Sequence, residues 1–125
     1  MIRKSTSRSD EPPEESPVGS GTKKVWTPSL STVAFLAKSL SDENRLRVLL
    51  SLRQGRLSVS ALVETLQLSQ PLISHHLKEL KRSLLVKVGR QGPFVYYELA
   101  DRKILQIIKD LEILAGELLA NRRTF

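Results

Sequence analysis

At 125 residues the chain has room for one domain, and a hydrophobic fraction of 40% is enough for a single modest core. Its formal charge of +7 and pI of about 10.1 favour an acidic partner such as nucleic acid or an anionic membrane surface. The absence of cysteine excludes disulfides, thiolate metal sites and thiol redox switches, and no apolar run reaches the roughly 18 residues of a membrane-spanning helix. The charged N-terminus lacks the apolar stretch of a secretory signal, so a cytoplasmic location is expected.

Residues 1–26 are rich in Ser, Pro, Glu, Gly and Lys and show no apolar periodicity. They are expected to form a disordered tail, the alternative being an arm that touches phosphates. The ordered domain is expected over 27–125. Thr27 is a candidate cap and Pro28 suits a first helical position, after which Leu30, Val33, Ala34, Ala37 and Leu40 recur at helical spacing. Ser41 is the next candidate cap, with Asp42 and Glu43 near the positive helix end. Leu46, Leu49, Leu50 and Leu52 carry a second helix, stopped by Gly55.

Ser58 is expected to cap a short third helix with Val59, Leu62, Val63 and Leu66 on its buried face. Gln67-Leu68-Ser69 makes a tight turn, and Ser69 caps a fourth helix that tolerates Pro71 in its first turn. Ile73, Leu77, Leu80 and Leu84 are expected to face inward. From Val86 the period changes. Val86 and Val88 alternate with Lys87 and Gly89, and Phe94-Val95-Tyr96-Tyr97-Glu98-Leu99 is rich in strand formers, so two strands around Gly92 make a hairpin with Pro93 at its tip. Asp101 caps a last helix running to about Ala120. Its apolar set (Ile104, Leu105, Ile107, Ile108, Leu111, Ile113, Leu114, Leu118, Leu119) is too wide for one buried face, which implies packing on a second copy.

The fold class that results is mostly α with a small β-hairpin wing: a winged helix-turn-helix. A helix-turn-helix places its second helix in the major groove of DNA. With Ile73, Leu77 and Leu80 inward, helical geometry turns Gln70, Ser74, His75, Lys78, Lys81 and Arg82 outward around a helix that starts at Ser69. Gln70 can pair with an adenine edge, Ser74 and His75 can serve bases or phosphates, and the long cations suit phosphates. The wing adds Lys87, Arg90 and Gln91 for flanking backbone or minor groove. Residues 69–91 hold five cations (Lys78, Lys81, Arg82, Lys87, Arg90) against one acid, Glu79. Singly each is a solvated charge; clustered on one motif they point to DNA.

The runs Leu40-Ser41-Asp42-Glu43-Asn44-Arg45-Leu46-Arg47-Val48-Leu49 and Leu68-Ser69-Gln70-Pro71-Leu72-Ile73-Ser74-His75-His76-Leu77-Lys78-Glu79-Leu80, with Arg90-Gln91-Gly92 and Tyr97-Glu98-Leu99, resemble the ArsR/SmtB family of bacterial winged-helix repressors. The resemblance covers about three-quarters of the chain. It implies a homodimeric repressor, paired through its first and last helices, on an imperfect palindrome, recognition helix over 69–82 in the major groove and wing over 86–99 on flanking DNA, released by an effector. It also implies that His76 holds the recognition helix or touches a phosphate, and that His75 is the better DNA contact.

Three departures from the family pattern stand out. The Cys-Val-Cys metal site of relatives reads Ser58-Val59-Ser60 here, and the last-helix site reads Asp101-Arg102-Lys103 and Leu114-Ala115-Gly116-Glu117, so both standard metal sites are expected to be absent. An unassigned small-molecule effector, regulation by abundance or a partner, and constitutive repression remain open. Leu84 stands where relatives usually have a left-handed glycine, which implies either a different helix end or compensating burial. Pro93 replaces a residue that is often basic in the wing. No cofactor is expected, and the lack of a Cys nucleophile, a phosphate loop or a His-acid constellation argues against an enzyme. The rival reading is a winged-helix protein-interaction module, for which Leu72 is the one available anchor.

Overall fold

The computed structural model describes residues 25–122, so the tail expected over 1–26 lies, except for its last two residues, outside the described residues. The chain divides into two units, Met1–Leu30 and Ser31–Phe125. In the first, residues 25–29 carry no regular secondary structure. The elements follow in the order α1 (Leu30–Ser39), α2 (Glu43–Ser51), α3 (Val59–Leu66), α4 (Gln70–Arg82), β1 (Val86–Gln91), β2 (Phe94–Leu99) and α5 (Lys103–Ala120). Among the described residues no helix is long and apolar enough to cross a membrane.

Local chemistry sets the helix boundaries. Thr27 and Pro28 stay outside α1, which opens at Leu30. The cap of α2 is Asp42 rather than Ser41. The Asp42 carboxylate accepts from the backbone N–H groups of Asn44 at 2.8 Å and Arg45 at 3.0 Å, while the Ser41 hydroxyl donates back to the Lys38 carbonyl at 2.7 Å. A carboxylate is favoured there because it also meets the positive end of the helix dipole. The Arg45 guanidinium closes the corner by donating to the carbonyls of Ser39 at 2.8 Å and Lys38 at 3.1 Å. Ser58 and Ser69 cap α3 and α4, accepting from Ala61 N–H at 3.2 Å and Leu72 N–H at 3.3 Å. Each such cap contributes about 1 kcal/mol. Between them Gln67 takes the left-handed conformation (φ +56°) that turns α3 into α4.

One cluster forms the core: Val48, Leu49 and Leu52 at α2, Leu62 of α3, Ile73, Leu77 and Leu80 of α4, Leu85, Val86 and Leu99 at the base of the hairpin, and Ile104 of α5. α2, α3 and β1 all pack against α4. Val48 fills the inward place expected for Leu50, which is exposed. α1 turns Leu36 and Leu40 toward the core and leaves Leu30, Val33, Ala34 and Ala37 exposed, so of the face its spacing suggests only Leu40 packs inward.

The hairpin pairs Val86 with Leu99 through Gln91 with Phe94, leaving Gly92 and Pro93 as a two-residue turn. Gly92 has φ +64°, the sign that the first position of such a turn requires. Leu57, in the α2–α3 loop, adds a further pairing: its N–H donates to the Tyr97 carbonyl at 3.0 Å, and Tyr97 N–H returns to the Leu57 carbonyl at 2.8 Å. The wing is thereby tied to the loop preceding the helix-turn-helix.

α4 ends in a Schellman arrangement. Leu85 N–H donates to the Leu80 carbonyl at 2.9 Å and Leu84 N–H to that of Lys81 at 3.0 Å, with Leu84 at φ +66°. Leu84 was expected to face inward or escape that geometry; it does neither and is 77% exposed. The pair that is buried instead is Leu80 with Leu85. At α5, Asp101 accepts from Lys103 N–H at 2.8 Å, while Arg102 occupies the cap position without a side-chain bond. Ile104 is the one buried residue of α5, and Leu105 and Ile108 pack partly against the core; Ile107, Leu111, Ile113, Leu114, Leu118 and Leu119 are exposed.

Candidate nucleic-acid interface

The 3.6-residue period divides α4 cleanly. Ile73, His76, Leu77 and Leu80 are buried, whereas Gln70, Ser74, His75, Lys78, Lys81 and Arg82 are exposed on the other side, with the capping residue Ser69 exposed at the head of the helix. The structure therefore brings together all of the expected outward set on one face of one helix. On the wing Lys87, Arg90 and Gln91 are exposed as well. Leu72, the one apolar anchor available to a protein-interaction reading, is half-buried.

His76, for which the resemblance implies either a hold on the recognition helix or a phosphate contact, is not on this face. It lies three residues after Ile73 and four before Leu80, the spacing that places side chains on one helix face, and is only 4% exposed. It cannot touch a phosphate. Its Nε2 lies 3.9 Å from the Asp42 carboxylate, too long for a hydrogen bond, and neither ring nitrogen has a hydrogen-bond partner among the described residues. Burial pushes the imidazole below its ordinary pKa of 6.5, outweighing the pull of Asp42. The backbone N–H of Arg45 is the main cause holding the Asp42 carboxyl below its usual 3.8. His76 thus joins the cap of α2 to the inner face of α4 as a neutral, buried ring.

The cations differ in how they are held. Arg82 pairs with Glu79 one turn before it, which lowers the Glu79 carboxyl below its ordinary range. Lys87 lies 4.0 Å from Glu98, its cross-strand partner. Lys78, Lys81 and Arg90 have no acidic partner among the described residues. Exposed pairs of this kind are worth about 0–1 kcal/mol, so a phosphate can displace either carboxylate at little cost. The outer face of α4 and the wing remain net positive in either case.

Arg56 is a member of this surface that the motifs did not mark. Its guanidinium sits 4.6 Å over the Tyr96 ring and donates to the side-chain oxygen of Gln91. It lies 35 residues from Gln91 in a loop without periodicity, so only the fold brings them together.

Among the described residues no group of three or more His, Cys, Asp and Glu side chains is arranged to hold a metal ion. Ser58 caps α3, and its hydroxyl oxygen lies 3.3 Å from that of Ser60. Asp101 accepts from the start of α5, and its other oxygen lies 3.9 Å from the Lys103 ammonium.

Residues 42–88 match the arsR family of bacterial regulatory proteins. The HTH-type transcriptional repressor SmtB of Mycobacterium tuberculosis is 38% identical over 88 residues, which cover 70% of this chain and 65% of the repressor. The chain thus spans just under two thirds of the length of that relative. The arsenical resistance operon repressor of Staphylococcus aureus is 36% identical over 86 residues, covering 69% of this chain and 83% of that protein. Among solved structures, the homodimeric winged helix-turn-helix DNA-binding domain of a possible ArsR-family transcriptional regulator from Mycobacterium bovis superposes with a TM-score of 0.63. It is 30% identical and covers 70% of this chain and 82% of its own.

Proposed function

The chain belongs to the ArsR/SmtB family of winged helix-turn-helix regulators, and on that premise we propose that it is a sequence-specific transcriptional repressor that binds a palindromic operator as a homodimer. Its family and relatives are transcriptional regulators with a DNA-binding fold, not enzymes. The observation that carries the proposal is the exposed, polar and basic face of α4, from Ser69 to Arg82, standing on a closed apolar face. In this reading Gln70 and Ser74 read base edges, His75 supports them, and Lys78, Lys81 and Arg82 hold phosphates. Lys87, Arg90 and Gln91 of the wing engage the flanking DNA. A second copy covers the open apolar faces of α1 and α5 and sets two half-sites about one helical turn apart.

The metal-ligand positions of relatives have other work in this chain. Ser58 caps α3, Asp101 bonds the first turn of α5, and Lys103, at a position the resemblance gives to a metal ligand, holds its ammonium 3.9 Å from Asp101. We place the regulatory signal outside those positions.

The test is a binding titration of the full chain on the DNA upstream of its own gene and on a scrambled duplex, across a range of salt. A clear preference for the upstream DNA, with affinity falling steeply as salt rises, is the expected result. Gln70→Ala is expected to relax the preference by about 1–3 kcal/mol at one position. Lys78→Ala is expected to weaken all sequences alike and reduce the salt slope by about one. Equal affinity for the two duplexes would overturn the proposal.

A further inference from the structure

The contact between Arg56 and the wing has a consequence for how the wing meets DNA. Leu57, the next residue, is fixed by its paired backbone bonds to Tyr97. That antiparallel pairing sets Arg56 opposite Glu98 and diagonally across from Tyr96 on the same face, near enough for its long side chain to lay the guanidinium over the ring at 4.6 Å. Tyr96 and Phe94 share one face of β2, and Gln91 stands directly opposite Phe94, so its side chain projects on that same face. Arg56, Tyr96 and Gln91 therefore meet at the end of the hairpin.

The chemistry of the contact fixes an orientation. A guanidinium has donors only, so the amide of Gln91 must turn its oxygen toward Arg56. Its NH2 group then points away from Arg56, on a side chain that is exposed. An amide that is ordinarily both donor and acceptor becomes a donor toward whatever lies beyond the wing. In the DNA minor groove A·T pairs present only acceptors, whereas G·C pairs add the guanine N2 amino donor. A fixed donor is matched by the first and opposed by the second.

We propose that Arg56 is a positioning residue for DNA recognition: it pins the wing through Tyr96 and holds Gln91 as a hydrogen-bond donor that favours A·T over G·C pairs in the minor groove beneath the wing. This rests on the DNA-binding reading above. Without Arg56 the Gln91 amide can present either end, and the preference disappears.

The full chain tests it with operator duplexes that differ only in the flanking pairs beneath the wing: A·T, G·C or inosine·C. Inosine removes the N2 amino group while leaving the major-groove edge of guanine. Wild type is expected to bind the A·T and inosine·C duplexes about fivefold more tightly than G·C. Arg56→Met is expected to bring the three to within about twofold, and Gln91→Glu, which keeps the pairing with Arg56 but only accepts, to remove the A·T preference or turn it toward G·C. Free protein supplies an independent readout. The Gln91 side-chain amide resonances are expected to be dispersed in wild type and to collapse toward free-amide shifts in Arg56→Met. A flank preference that survives Arg56→Met overturns the proposal, as do amide resonances that the substitution leaves unmoved. If wild type does not distinguish operator from scrambled duplex, the DNA-binding reading fails instead, and the amide resonances still report on the clamp.

Discussion

α4 and α5 are both amphipathic, yet one is finished within the chain and the other is not. In α4, Ile73, Leu77 and Leu80 are sealed by α2, α3 and β1, and what remains outside is polar and basic. α5 is longer, 18 residues, but Ile104 is its one buried residue, and Leu118 near its end is 61% exposed. Val33 and Phe35 of α1 are exposed in the same way. One chain is enough to build and stiffen the polar, basic face of α4, but it leaves apolar area that a soluble monomer seldom carries. In the proposed function a second copy closes that area. A two-fold pairing there uses each surface twice and makes the distance between the two α4 helices a property of the dimer alone.

The largest effects separate the two helices. Leu77→Ala removes a fully buried side chain from the closed face of α4 and is expected to cost about 2–5 kcal/mol, read from urea unfolding. Leu114→Glu combined with Leu118→Glu touches residues that are already exposed in the single chain, so helical content by circular dichroism is expected to hold. Buried in a symmetric interface, the four introduced carboxylates are expected to raise the dimer dissociation constant by on the order of a hundredfold or more, measured by sedimentation equilibrium. A double variant that still sediments as the wild type does would remove α5 from the interface and dissolve the contrast between the helices.

This contrast also marks what the sequence could disclose. Ser58 and Ser69 were legible as caps because a hydroxyl before a periodic apolar run satisfies N–H groups within three residues of itself. Ile73, Leu77 and Leu80 were legible because the period of α4 matches a single buried face. The period of α1 fits two faces, and docking rather than spacing selected Leu36 over Val33. Ser41 and Asp42 are adjacent and both can cap; only the path of the backbone assigned the role to Asp42. His76 stands at an inward position by spacing; the resemblance implies either a hold on the recognition helix or a phosphate contact, and its burial fits only the first. Arg56 carried no local signal at all, since both of its partners are tertiary.

The closed face of α4 also leaves a signature in pH. Folding lowers the pKa of His76, mainly through burial, so above about pH 6.5 the ring is neutral in both folded and unfolded chains. As pH falls below that value the unfolded chain takes up a proton that the folded one resists, and stability declines until the folded pKa is passed. Asp42 acts lower on the scale: its folded pKa is below 3.8, so its contribution is full above that value and is lost as pH falls through the folded pKa. Urea unfolding between pH 8 and about pH 5 is therefore expected to show stability falling on the acid side in wild type. In His76→Leu, which replaces an unpartnered buried ring with an apolar side chain, the decline is expected to flatten. An unchanged slope in that variant would mean that the ring is not shut away from water as α4 requires.

The smallest effect lies where α4 itself behaves like α5. Leu84 holds a left-handed conformation that disfavours side chains, and its own side chain is exposed, so it gains no burial within the chain to offset the strain. Glycine relieves the strain at the price of a more flexible unfolded chain, and Leu84→Gly is expected to stabilise the protein by about 0.5–1 kcal/mol, seen as a rise in melting temperature. The Schellman bonds of Leu84 and Leu85 involve backbone only and survive the change. If Leu84→Gly instead lowers the melting temperature, the leucine must be buried against something outside this chain. Repeating the melt at several protein concentrations would then show whether a second copy supplies that burial, which would extend the unfinished surface from α5 to the end of the recognition helix.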